Sequence, residues 1–188
     1  MKSKEKICSL ILLFTIHFQF AQTGPGGVGN RDGSSSLTIW LRANDLNANG
    51  NLLDNPANGT AVTNWLDYSG NANNFTQANA ARRPTYVTAP FPAVNFNASL
   101  AAANLMNGSI TGIYTNASVF FVTTPINDGN SHSLFDNTTA SLRVEQWFNS
   151  NRVGLTRYGF GDYRTGIPSP FGINSILSYH KENGTAIV

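Results

Sequence analysis

Two glutamates, Glu145 and Glu182, seven aspartates and two histidines, His132 and His180, are the acid–base groups beyond residue 21. Cleavage of a glycosidic bond needs two carboxyl groups about 5–9.5 Å apart. Alternate positions of a strand carry side chains to one face, but neither glutamate has an acidic residue at i+2 or i+4. The aspartates lie mostly in turn-like segments, where a carboxylate binds nearby backbone amides. No Gly-x-Ser-x-Gly elbow occurs, and His132 and His180 read as a loop or strand-edge residue and a solvent-exposed residue beside a turn. Two distant histidines are too few to hold zinc. The residues therefore point away from an enzyme.

Binding chemistry has better material. Asp67, Ser69, Asn71 and Asn73 alternate through DYSGNAN, and oxygen ligands on a glycine-containing loop suit Ca²⁺, which takes six to eight of them. Only one of the four is charged, so an Asx-rich turn is the favoured reading and no cofactor is expected. A second cluster is aromatic and charged. Trp147 alternates with Arg143 and Glu145, while RYGFGDYR brings Arg157, Tyr158, Asp162 and Tyr163 close in sequence, with Arg164 beside them. Aromatic rings cover the apolar faces of sugars, and Asp and Arg bind their hydroxyls. An exposed aromatic among charges marks a binding surface, so Trp147, Arg143, Arg157, Tyr158, Asp162 and Tyr163 form the candidate ligand site. Trp147 covering a second sheet is the competing reading. Trp40 and Trp65 read as core or loop-anchoring residues. Asn58, Asn74, Asn97, Asn107, Asn116, Asn137 and Asn183 fall in Asn-x-Ser/Thr sequons, which an asparagine content near one residue in eight produces by composition.

Residues 1–21, MKSKEKICSLILLFTIHFQFA, have the layout of a signal peptide: Lys2, Lys4 and Lys6, an apolar stretch from Ile7 to Phe20, and Ala21 at the cut. The stretch is shorter than the roughly 20 apolar residues of a spanning helix and is broken by His17 and Gln19. Cleavage after Ala21 makes Gln22 the mature start, and the protein is expected to be secreted or on the cell surface, with no membrane span once the leader is removed. The leader holds three of the twelve basic residues, one of the ten acids and Cys8, the only cysteine. The remaining chain of about 167 residues has zero formal net charge and no thiol. Disulfides and thiolate metal sites are thereby excluded, and no clustered lysine and arginine favours nucleic acid. A chain of this size makes one domain, burying roughly two-thirds of its unfolded surface.

The elements that must position these residues are strands. Residues 22–36 are rich in Gly and Ser and read as a flexible lead-in. Leu37, Ile39 and Leu41 alternate with Thr38, Trp40 and Arg42 as in a half-buried strand. AVTNWLDYSG is a short element, and PAVNFN a second strand with Val94 and Phe96 on one face. Val119 to Val122 is continuously apolar, which predicts a strand covered on both faces. SHSLFDN, SLRVEQWFN and RVGLTRYGF continue the series, the last two joined by a turn at Asn149–Asn151. SILSYHKENGTAIV is a hairpin around Asn183-Gly184. ASLAAANLM is a short helical candidate. Short strands at regular spacing predict an all-β, antiparallel sandwich or jelly roll.

WLRA, WLDYSGNANNFTQ, RRPTYV, PAVNFN, SVFFV and SILSYHKENGTAIV, in that order, resemble the concanavalin A-like, laminin-G-like jelly-roll domains of bacterial secreted and surface proteins. The resemblance covers residues 37–188. It implies a β-sandwich that continues for several strands past Val188, so that the chain is expected to be a fragment, incomplete at its C-terminus; GPGGVG resembles the mature start of proteins sorted by a C-terminal secretion domain. Glycosidases in that superfamily carry a Glu-x-Asp-x-x-Glu type strand, which is absent here. The expected function is an exported, non-catalytic recognition or adhesion module whose partner is a glycan or an extracellular protein. The alternatives are a structural spacer of a larger surface protein and the N-terminal part of a glycoside hydrolase with its catalytic strand beyond residue 188.

Overall fold

The computed structural model describes residues 23–97, 104–108, 110, 114–130, 132–136, 143–147, 152–157, 161–182 and 185–187. The leader at 1–21 lies outside the described residues, as do Tyr158, most of the helical candidate ASLAAANLM and the turn at Asn149–Asn151.

Twelve strands are described. The first five are short: β1 (Asn64–Trp65), β2 (Phe75–Thr76), β3 (Thr85–Val87), β4 (Ala93–Asn95) and β5 (Asn107–Gly108). They form a three-stranded sheet in the order β1-β2-β5 and a hairpin-like pair β3-β4. The remaining seven are β6 (Ala117–Thr123), β7 (His132–Phe135), β8 (Arg143–Trp147), β9 (Arg152–Arg157), β10 (Gly161–Pro168), β11 (Ser175–Glu182) and β12 (Thr185–Ile187). They form a four-stranded sheet, β10-β9-β8-β7, and a three-stranded one, β12-β11-β6. Every strand pair is antiparallel. Among the described residues the helical pieces are single 3-10 turns at Pro25–Gly27 and Ala80–Arg82. The protein is all-β.

Local chemistry explains the long strands. β6, ASVFFVT, is almost entirely β-branched or aromatic, the residue types that fit a pleated surface. It pairs with β11 over seven consecutive positions, from Ser175↔Thr123 to Lys181↔Ala117. β11 pairs with β12 from His180↔Ile187 to Glu182↔Thr185; the expected turn at Asn183-Gly184 lies outside the described residues. The chain thus leaves one sheet after β6, builds β7 to β10 as the other, and returns to lay β11 beside β6.

The two larger sheets share a core. Val144 of β8, Val153 of β9 and Tyr179 of β11 are buried together, with Val119, Phe121, Leu134, Phe135 and Leu177 packed around them. Phe121 and Phe135 meet at 6.0 Å between ring centroids, and Phe75 of β2 reaches Phe135 at 6.5 Å. A second core of Leu46, Val62 and Tyr86, flanked by Trp65, Val94 and Met106, holds the short strands.

Two sequence expectations are corrected. The apolar run of β6 is covered on one face only: Val119 and Phe121 pack inward, while Phe120 is 71 % and Val122 85 % exposed. A run of apolar residues carries no alternation to read, so its covered faces depend on what packs against the sheet. The segment 37–42 is not a laddered strand. It is tied by the isolated bridge Leu41↔Asp67 and by side chains of Trp65 and of the loop that follows β1.

Candidate functional site

The DYSGNAN loop gathers its polar residues around one carboxylate. Asp67 is buried; its Oδ1 accepts from the amides of Trp40 and Ser69, both at 2.9 Å. Its Oδ2 accepts from the Ser69 hydroxyl at 2.7 Å and the Asn73 amide at 3.0 Å. The side-chain amides of Asn71 and Asn73 donate to the carbonyls of Leu37 and Thr38, each at 2.7 Å. The sequence brings the four expected residues together, but their polarity runs opposite to an ion cradle. The carboxylate meets donors, and the asparagines point amide nitrogens at backbone oxygen. The loop latches residues 37–40. Gly70 permits this: its φ is +88°, and a Cβ there would run into the Arg31 carbonyl oxygen and the Gly33 amide.

Beside the latch lies an arginine–aromatic stack whose members are spread from residue 31 to 68. Trp40 meets Tyr68 edge-on at 5.0 Å. The Arg31 guanidinium sits 3.5 Å from the Tyr68 ring centroid, and that of Arg42 at 4.5 Å, near enough for cation–π attraction. Arg42 also pairs with the fully buried Asp45 at 3.5 Å. Asp45 in turn accepts from the amides of Asn49 and Gly50. Trp65 is anchored by its indole N–H, which donates to the Arg42 carbonyl at 3.0 Å.

The candidate ligand residues divide by register on the four-stranded sheet. Arg143, Thr156 and Asp162 are cross-strand partners in one row. Trp147, four positions along β8 and opposite Arg152, belongs to a row of the same parity. Val144, Leu155 and Tyr163 make a row of the other parity, which also includes Val153 opposite Gln146. Val144 and Val153 are buried, so that parity is the core side. Arg143, Trp147 and Asp162 thus occupy outer-face positions, while Tyr163 and Arg157, the partner of Gly161, occupy positions of core parity. Periodicity along one strand fixes the face shared by Arg143 and Trp147. Assigning Tyr163 to the other face needs the pairing of β9 with β10.

The histidines have partners that sequence spacing does not show equally well. His132 Nε2 lies 2.8 Å from Asp128 Oδ1, a contact within NDGNSH. It holds the Asp128 carboxyl below its ordinary range. His180 is exposed, and its Nδ1 lies 2.8 Å from the Ser118 hydroxyl, its register partner 62 residues earlier. A serine–histidine contact of this kind resembles the start of a nucleophilic pair, yet it lies on the open face of a sheet beside Phe120. Among the described residues no contact orients the other ring nitrogen, the role of the third member on which activation of a serine rests.

Among the described residues no group of three or more His, Cys, Asp or Glu is arranged to hold a metal ion, and no helix is long and apolar enough to cross a membrane. No protein-family model, curated protein or solved structure matches this chain.

Proposed function

We propose that this chain is an exported, non-catalytic recognition module. In this reading it is a laminin-G-like jelly-roll sandwich, sorted out of the cytoplasm by its leader, that binds a glycan or an extracellular protein. The observation that carries it is the register of β8, β9 and β10. A tryptophan position, an arginine and an aspartate, Trp147, Arg143 and Asp162, share the parity opposite to buried Val144 and Val153. A broad sheet surface with one aromatic and charges of both signs suits sugar rings, which need an apolar platform and hydrogen-bonding partners at its edge. The sandwich reading is supported by the core that β6 and β11 share with β8 and β9. The non-catalytic reading is supported by the spacing of Glu145 and Glu182, neither of which has a second carboxylate along its own strand.

A glycan array on the purified protein tests the proposal. Binding of a defined glycan class, lost in Trp147→Ala and weakened in Arg143→Ala, is the expected result. The loss should be about tenfold or more for an aromatic anchor. Silence across glycans and surface proteins alike would sink recognition and leave a structural spacer.

A further inference from the structure

Among the described residues the two larger sheets have four edge strands, β12 and β6 in one, β10 and β7 in the other. An edge presents a row of unpaired N–H and C=O groups to any other strand, and proteins blunt such edges by shortness, charge, proline or a bulge. Three of the four are blunted in these ways. β12 has three residues and β7 four, the latter with a register shift between Ser133 and Phe135. β10 carries Asp162, Arg164 and Pro168, with a register shift between the last two. β6 has none of these devices. Its seven residues, ASVFFVT, include no charge, proline or glycine, and its pairing with β11 runs without interruption from Lys181↔Ala117 to Ser175↔Thr123. Phe120 and Val122, 71 % and 85 % exposed, stand along this same edge strand.

We propose that β6 is a dimerisation edge, pairing antiparallel with β6 of a second copy of this chain about a two-fold axis through Phe120. The partner follows from symmetry and composition. Side chains alternate with a period of two, so a strand paired antiparallel with its own copy keeps outer residues opposite outer residues only if the axis passes through a residue. Phe120 is the middle of the seven, and an axis there uses every position of β6. From one copy to the other, Phe120 then faces Phe120, Val119 faces Phe121, Ser118 faces Val122 and Ala117 faces Thr123. Aromatic and β-branched residues meet across the strands, pairs that stabilise a sheet, and no like charges oppose each other. The contact runs for about 23 Å, at roughly 3.3 Å a residue. It joins two three-stranded sheets into one sheet of six strands, with β12 of each copy at its ends. Each copy uses its one unguarded edge, and the blunted edges oppose further growth, so the assembly closes at two. This interface is separate from the outer face of the four-stranded sheet proposed above for recognition and does not rest on it.

Sedimentation velocity of the purified protein at about 5 and about 100 µM, a range suited to a small interface, should show a dimer that grows with concentration and no larger species. Phe120→Lys sets two like charges opposite each other at the axis and should weaken dimerisation about tenfold or more. The circular dichroism of that variant should match the parent, since the side chain is exposed. In a Cys8→Ser chain, Phe120→Cys supplies the single thiol. Residues directly opposite lie about 4.5–5.5 Å apart at Cα, within reach of a disulfide, so mild oxidation should link two chains there. Ser178→Cys, beside Phe120 on β11 and one strand further from the axis, should stay unlinked. The sedimentation of the unsubstituted protein stands even if a variant fails to fold. A monomer at both concentrations, a series of larger species, a dimer that persists in Phe120→Lys, or linkage as fast at Ser178→Cys as at Phe120→Cys would each overturn the proposal.

Discussion

Asp67 shows how much one side chain organises here. Four donors converge on its two oxygens, and all of them, from Trp40, Ser69 and Asn73, come from segments that no strand ladder holds. Removing the carboxylate leaves buried donors unpaired, each costing about 1–3 kcal/mol. Asp67→Ala is therefore expected to destabilise the protein by about 3 kcal/mol in guanidinium denaturation, and Asp67→Asn by less, since one acceptor oxygen remains. Gly70→Ala should be similarly severe, at about 2 kcal/mol or more. It combines a left-handed backbone position with a collision against the Arg31 carbonyl oxygen and the Gly33 amide. The same geometry speaks to calcium. A cation at Asp67 would have to displace hydrogen bonds already made, so thermal unfolding in millimolar Ca²⁺ should superimpose on unfolding in chelator. A raised melting temperature would contradict this. DYSGNAN displays the four polar residues plainly. Whether they bond to backbone or bind an ion depends on the carbonyls of Leu37 and Thr38 and the amide of Trp40, some thirty residues away.

At the scale of elements, β6 separates what a pattern predicts from what packing imposes. Its composition makes it a strand in any context. Its faces are decided by the sheet opposite, which covers Val119 and Phe121 and leaves Phe120 and Val122 open. Phe121→Ala should cost about 2–4 kcal/mol through lost burial and the cavity left behind. Phe120→Ser should change the stability of the dilute monomer by less than about 0.5 kcal/mol. A large cost at Phe120, measured the same way, would mean that the outer face is covered. The antiparallel pairs β8-β9 and β11-β12 were the most legible elements, because each joins segments only a few residues apart in sequence. The segment 37–42 was the least, since its alternation is real but no partner strand is supplied to it.

For the molecule as a whole, buried ionisable groups give the stability a pH dependence with two opposing signs. Burial pushes the phenols of Tyr86 and Tyr179 above their ordinary value of 10.0. Between that value and the raised one, the folded state keeps protons that the unfolded state has released, so stability falls as pH rises. Lys181 is buried and its ammonium is pushed below 10.5. There the unfolded state binds more protons, and stability rises with pH up to that value. Urea unfolding above about pH 10 should therefore be less alkali-sensitive in Tyr86→Phe, whose phenol packs in the second core. Equal alkaline slopes in the parent and the variant would count against the burial argument.

Strand content, antiparallel hairpins and the thiol-free, net-neutral character beyond residue 21 were determined by the sequence alone. Each of these depends on residue type or on neighbours within a few positions. The tertiary structure decided the rest: which face of β6 is open, which side of the four-stranded sheet Tyr163 falls on, and what surrounds Asp67. It also joined Val144, Val153 and Tyr179 in one core, from strands some 35 residues apart. Those outcomes depend on pairing between distant strands. A side-chain period of two tells which residues share a face, but not which face is buried.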